Sequence, residues 1–317
     1  MLNISPELKL SISAAASWAW GTSLVVGLEI ARTKGLEAFG IWAVANASAL
    51  AVFGLLAPHI KAGRVFGNPW IRAGGLLVQV FIFVIQLNIL ARLAGGWVAT
   101  LAGVLFVLLV YKRGLYTSIL SDNALLPVVM LCLVVMVCAG FWSGVPRTDY
   151  PPSGVDDIRW AFWGAAVLLS GPVGDAQHWQ RASRRAYFLG SLFFVCYMAM
   201  ILFVSSFQFN AFMDACLIIA ALCLTGSTMD SAAAALHDIA GKATGTAVAL
   251  TVCVFWAALA GVGILELWSK AGIFRVLFAL AVLAFAYRGM RNEARKDRDR
   301  QVEAVGEEHK KARGKAD

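Results

Sequence analysis

Ser227, Thr228, Asp230 and Ser231 fall within five positions of one another inside an apolar stretch. On a helix, Ser227, Thr228 and Ser231 lie within about one turn of each other. Hydroxyl oxygens are hard, neutral ligands that suit Na⁺ when backbone carbonyls join them. The same hydroxyls can instead bond back to carbonyls one turn earlier, or bridge helices. The local sequence leaves both readings open. Asp230 is an acid in an apolar run, and intramembrane acids carry function by default. Its alternative is a place near the cytoplasmic end of the helix, paired with a loop arginine.

These residues need elements to position them, and composition says what kind. Of 317 residues, 60% are hydrophobic and 15% charged. Mean hydropathy is +0.73. A soluble domain is roughly half apolar and a quarter charged. The excess lies in runs near the length of a membrane span. We place spans at 11–31, 36–58, 73–94, 97–111 and 124–142, then at 158–173, 187–207, 212–235, 245–268 and 273–287. The expected fold class is therefore all-α integral membrane with about ten transmembrane helices. The run 11–31 has no basic stretch before it and no small-residue cleavage site after it, so it is read as a retained first helix.

The net charge of +8 follows the loops. Lys61, Arg64, Arg72, Lys112, Arg113, Arg181, Arg184, Arg185, Lys242 and the arginines from Arg288 onward fall on one side of ten alternating spans. Arg32 and Lys34 are the exception. The bias puts both termini in the cytoplasm. Basic residues distributed this way report topology, and no nucleic-acid motif accompanies them. Residues 1–10 form a cytoplasmic N-terminus, 11–142 a first group of five spans, 143–157 a Pro-containing extracytoplasmic loop, 158–287 a second group of five, and 288–317 a charged cytoplasmic tail. Five spans per half force opposite orientations, the pattern of inverted repeats. The six cysteines all sit in apolar runs without zinc or redox spacing, which predicts buried free thiols. Nothing matches a paired catalytic acid and base, a nucleophile elbow or a phosphate loop, so an enzyme is not expected.

Four stretches carry a resemblance. They are Ala16-Ser17 with Gly21 and Gly27-Leu28; Gly114 with Ser121-Asp122; Gly174-Asp175 through Gln180-Arg181; and Ser227-Thr-Met-Asp-Ser231 followed by His237-Asp238-Ile239. In this order they resemble segments of the sodium/solute symporter family, of LeuT-type fold in the APC superfamily. This chain looks like a short, core-only member. The resemblance implies a five-plus-five inverted repeat with a broken first helix, Gly21 and Thr22 being its break points. It implies a Na⁺ site, Na⁺ being the coupling ion. The ligands would be the carbonyls of Ala16, Ala19 and Leu224 and the hydroxyls of Ser227 and Thr228. Trp18 falls where relatives contact substrate or cation. Gly21, Trp42, Gly171, Asp175 and Arg181 complete the expected substrate and gate residues, with Asp175, Gln180 and Arg181 holding the inner gate by polar contacts. The alternative for that last stretch is a surface loop with snorkelling arginines, and His178 is expected at the interface.

Departures narrow the expectation. Glu29 follows Gly27-Leu28 where the family has Pro, and it is expected to pair with Arg32 near the outer end. Ser170-Gly171-Pro172 offers no aromatic platform for a sugar, and Trp18 with Trp42 fills part of a central site. The expected function is a sodium-coupled symporter of a small, non-sugar solute in the bilayer of a bacterial inner membrane. The alternative is a non-transporting sensor or accessory subunit, with the charged tail as a surface for a protein partner.

Overall fold

Polar caps and prolines start several of the helices. Ser5 accepts from the Leu8 amide at 3.2 Å and Pro6 opens α1 (Pro6–Trp18). Asn68 caps α4 and Pro69 opens it, Asn210 caps α10 and Ser183 caps α9. Each side chain satisfies an amide that a helix start leaves free, and proline has none to lose. The helices are α1, α2 (Gly21–Thr33), α3 (Leu36–Leu56), α4 (Pro69–Ala94), α5 (Gly96–Val110) and α6 (Leu115–Ser143). They continue as α7 (Val155–Gly174), α8 (Ala176–Gln180), α9 (Arg184–Ser205), α10 (Ala211–Ala240), α11 (Lys242–Phe255) and α12 (Ile264–Arg313). This computed structural model describes residues 5–60, 65–143, 145–146, 150–181, 183–256 and 264–313. Side chains are described throughout except at 143, 180, 264–265, 293–294 and 297–313. Among the described residues there is no strand, only a single bridge between Pro146 and Phe207.

Six helical segments are long and apolar enough to cross a membrane: Leu36–His59, Pro69–Ala94, Leu115–Trp142, Arg184–Ser205, Ala211–Ala240 and Glu266–Asn292. This is an all-helical, multi-pass membrane protein. The other expected spans are short or interrupted. At about 1.5 Å per residue, the 15 residues of α5 and the 14 of α11 fall short of a 30 Å hydrocarbon layer. Exposed Trp70, Trp97, Phe141 and Trp142 fit a surface whose solvent is lipid.

The packing repeats itself. α3 packs on α7 as α9 packs on α1 and α2; α4 packs on α5 as α10 packs on α11. α6 lies on α1 and α10, as α12 lies on α7 and α4. Exchanging α1–α6 with α7–α12 carries these contacts onto one another, apart from that of α2 with α9. Departures include α2 with α3, α9 and α10, α1 with α10, and α6 with α9, which pack more extensively than their counterparts. Local geometry repeats as well. Gly95 joins α4 to α5 at φ 92°, ψ 154°, and Gly241 joins α10 to α11 at φ 85°, ψ 152°. Both corners need a positive φ, which a glycine adopts without strain.

Several expectations change. The first helix breaks one to two residues earlier than expected: α1 ends at Trp18, Ala19 and Trp20 are unwound, and Gly21 already starts α2. The run expected at 245–268 ends at Phe255, and Trp268 belongs to α12, where it packs inward. α6 begins nine residues before its expected start, because Leu115–Asn123 is helical despite its polar face. The described cysteines are free, but Cys138 and Cys196 are exposed on apolar helix faces rather than buried. Arg32 reaches the carbonyl of Phe207 at 2.9 Å and stacks on Phe209, while Glu29 is half-buried on α2.

Candidate solute and cation site

The break between α1 and α2 frees backbone polarity in the interior. Trp20 turns its amide to the Trp18 carbonyl at 2.8 Å, and its indole N–H to the Ser17 carbonyl at 2.8 Å. Ser23 takes the Trp20 carbonyl at 2.7 Å. The carbonyls of Ala16 and Ala19 accept no hydrogen bond across the break among the described residues. In a dry interior such groups need a partner. A second break separates α7 from α8 at Asp175, whose carboxylate caps α8 through the Gln177 amide at 3.2 Å.

On α1, α6 and α10 lies a polar cluster that is buried except for the partly buried Ser121. Asp122 on α6 accepts from Ser13 of α1 at 2.6 Å and from Ser227 of α10 at 2.5 Å. Asp230 on α10 accepts from Ser118 at 2.8 Å and from Ser121. Arg181, just beyond α8, ties the two halves together. Its Nε donates to Ser13 at 2.9 Å, and its Nη2 to Ser118 at 3.0 Å and Ser231 at 2.9 Å. Nη2 also stands 3.5 Å from Asp122, with both side chains wholly buried. Nη1 donates to the Gln177 carbonyl at 3.1 Å. The guanidinium thus meets Asp122 directly and Asp230 through the Ser118 hydroxyl.

Above the cluster is a small cavity of about 10 Å³, room for about one water. Trp18, Trp20, Trp42, Trp268 and Leu168 wall it, and Thr22, Ser23, Asn46 and Arg275 add polar atoms. Trp18 donates to the Asn46 carbonyl at 3.0 Å, which pins the end of α1 to α3. Two glycines of α7 admit these rings. A side chain at Gly171 would collide with Trp18, and one at Gly164 would crowd both Trp42 and Trp268.

The expected site residues now have addresses. Ala16 closes the last turn of α1 and Ala19 sits in the break. Ser227 and Thr228 are buried on α10, which packs against α1. The hydroxyls are engaged: Ser227 donates to Asp122, and Thr228 donates to the Leu224 carbonyl at 2.9 Å. A hydroxyl that donates its proton keeps its lone pairs for a cation. Trp18, Trp42 and Gly171 meet at the cavity, and Gly21 packs on Thr225 where a side chain would collide. Asp175 and Arg181 are buried rather than on a surface loop. His178 is also wholly buried, in contact with Tyr187 at 3.0 Å and edge-on to Trp18, because α8 is folded back under the cavity. Trp20, Asn46, Trp268 and Arg275 were not foreseen. A cation inside the last apolar run was the available signal for Arg275.

The fold and the site define a multi-pass helical membrane protein whose polar groups converge on interrupted helices. No protein-family model matches the chain, and no curated protein matches it.

Proposed function

We propose that this protein is a sodium-coupled secondary active symporter of a small, non-sugar solute, built as ten spans in a LeuT-like inverted repeat. Short α5 and α11, and the split pairs α1–α2 and α7–α8, supply the four spans beyond the six long ones. The exchange symmetry of the packing and the matched Gly95 and Gly241 corners support the repeat. Both termini would be cytoplasmic, in a bacterial inner membrane, as the lysine and arginine bias favours.

One observation carries the coupling. Asp122 and Asp230 are buried with Arg181 as their shared cation, so the cluster as ionised has one negative charge in excess. Such a charge in a dry bundle calls for a monovalent cation or a proton. The carbonyls of Ala16 and Ala19, and the hydroxyls of Ser227 and Thr228 on the helix that carries Asp230, are all hard oxygen donors. That donor set fits a hard cation rather than a soft one, and the single excess charge favours a monovalent ion such as Na⁺. Na⁺ entering from outside would neutralise the cluster, favour the closed arrangement around the solute, and leave with it when the inner side opens.

The test is thermal stability of the purified chain in Na⁺, K⁺ and choline chloride at equal ionic strength. Na⁺ is expected to raise the midpoint by mass action, and Ser227→Ala/Thr228→Ala to abolish the rise. Equal midpoints in all three salts would overturn the reading. The near-closed cavity favours a second reading, a non-transporting sensor or accessory subunit. Solute uptake into proteoliposomes separates the two.

A further inference from the structure

We propose that the tryptophan-walled cavity binds a small monocarboxylate, held on the side-on edge of the Arg275 guanidinium. This rests on the symporter reading only in taking the cavity for the solute site.

Arg275 lies on α12 within the segment Glu266–Asn292 and is 3% exposed. Its Nε and Nη2 have no hydrogen-bond partner among the described residues. These two nitrogens share one edge of the guanidinium and point two parallel N–H bonds the same way. That fork matches the two oxygens of a carboxylate. Two indoles lie against the cation. The guanidinium carbon stands 4.4 Å from the Trp20 ring centroid and 6.0 Å from that of Trp18. These cation–π contacts hold the cation while Nε and Nη2 stay without a partner among the described residues. Nη2 also lies 3.0 Å from where a Cβ at Gly171 would stand, so this glycine gives the guanidinium its room.

Protein groups do not complete the site. The charge of Asp175 reaches Arg275, yet no carboxylate among the described residues lies within ion-pair distance of it. Asp175 is already held by Gln79 at 2.9 Å and by the Gln177 side chain at 2.6 Å. Trp42, another wall of the cavity, has an indole N–H that is likewise without a partner. Unpaired donors in a low-dielectric site are costly, and an anionic acceptor removes the cost. One guanidinium edge calls for one negative charge, which favours a monocarboxylate over sulfate or a phosphate dianion. The indole walls suit a short hydrocarbon remainder. With room for about one water, the cavity admits even acetate only as the indoles shift, so it selects for few carbons.

The test is the thermal midpoint of the full chain in sodium acetate or propionate against sodium chloride or sulfate at equal Na⁺, for wild type, Arg275→Gln and Arg275→Lys. Acetate and propionate are expected to stabilise the wild type over chloride by an increment that depends on Arg275, whereas the general stabilisation by sulfate is the same in all three proteins. Arg275→Lys keeps the charge but loses the fork, and should weaken carboxylate binding about tenfold or more. Arg275→Gln should abolish it, while its solute-free midpoint is no lower than that of wild type, since an unpaired buried cation has been removed. No carboxylate effect in wild type, or an undiminished effect in either variant, would overturn the proposal. Repeating the series in choline salts separates the two readings. Carboxylate stabilisation without any Na⁺ effect would sink sodium coupling and leave this site standing. A Na⁺ effect without any carboxylate effect would do the reverse.

Discussion

Arg181 touches three hydroxyls, a backbone carbonyl and a carboxylate, all in the interior. Removing it leaves Asp122 and Asp230 buried without a cation. Arg181→Met is expected to destabilise the fold by roughly 3–5 kcal/mol, the range for breaking a buried pair. Adding Asp122→Asn should recover part of that loss, because the two residues share one network. Chemical unfolding in mixed micelles measures both, and strictly additive losses would contradict the shared-charge picture. Asp175 and Arg181 were legible in the sequence through a motif. Arg275 was not. It stands three positions inside an expected span boundary, where arginines ordinarily snorkel to the interface. Only the packing of α12 on α7 and α4 turns it inward.

At the scale of elements, the break at Ala19 and Trp20 depends on how closely α2 approaches α10. A Cβ at Gly21 would collide with Thr225 Cγ2 and come within 3.1 Å of Gln86 Oε1. Gly21→Ala should therefore cost about 1–3 kcal/mol, the usual range for overpacking. Thr225→Ser deletes the colliding methyl and should restore much of it; a double variant no better than Gly21→Ala would disprove the contact. The long spans were legible because apolar runs of membrane length dominate the sequence. The position of the break was not. Ala19 and Trp20 have no helix-breaking chemistry of their own, and the unwound turn holds because the Trp20 indole takes up the Ser17 carbonyl.

Across the whole molecule, the two halves are clasped at one end. Lys34 pairs with Asp157 at 2.8 Å, Ser153 donates to the Lys34 carbonyl at 2.6 Å, and Tyr150 lies 2.8 Å from Ser206. The Lys34 hydrogen bond, and then the Gly154 amide, hold the Asp157 carboxyl below its ordinary range. A depressed carboxyl stabilises the fold fully above the ordinary aspartate value of about 4, and that contribution is lost as pH falls through the lower folded value. The thermal midpoint of the wild type should therefore drop more steeply than that of Lys34→Gln below about pH 4. Parallel pH profiles would mean that the pair contributes nothing. The pair is half-exposed, so the difference is small and shrinks with added salt.

The sequence by itself determined that the chain is helical and crosses a membrane repeatedly, because apolar run length answers directly to bilayer thickness. It also marked Ser227, Asp230, Asp175 and Arg181, because polar groups are conspicuous against an apolar background. Tertiary structure alone decided their partners. Ser227 meets Asp122 from 105 residues away, and Arg181 meets Ser13 from 168. Such pairings are set by which helix faces meet, and in lipid that choice rests on close packing and interhelical hydrogen bonds rather than on hydrophobic burial. For the same reason the cavity was out of reach of any local pattern: its walls come from α1, α2, α3, α7 and α12 and from the unwound turn between the first two.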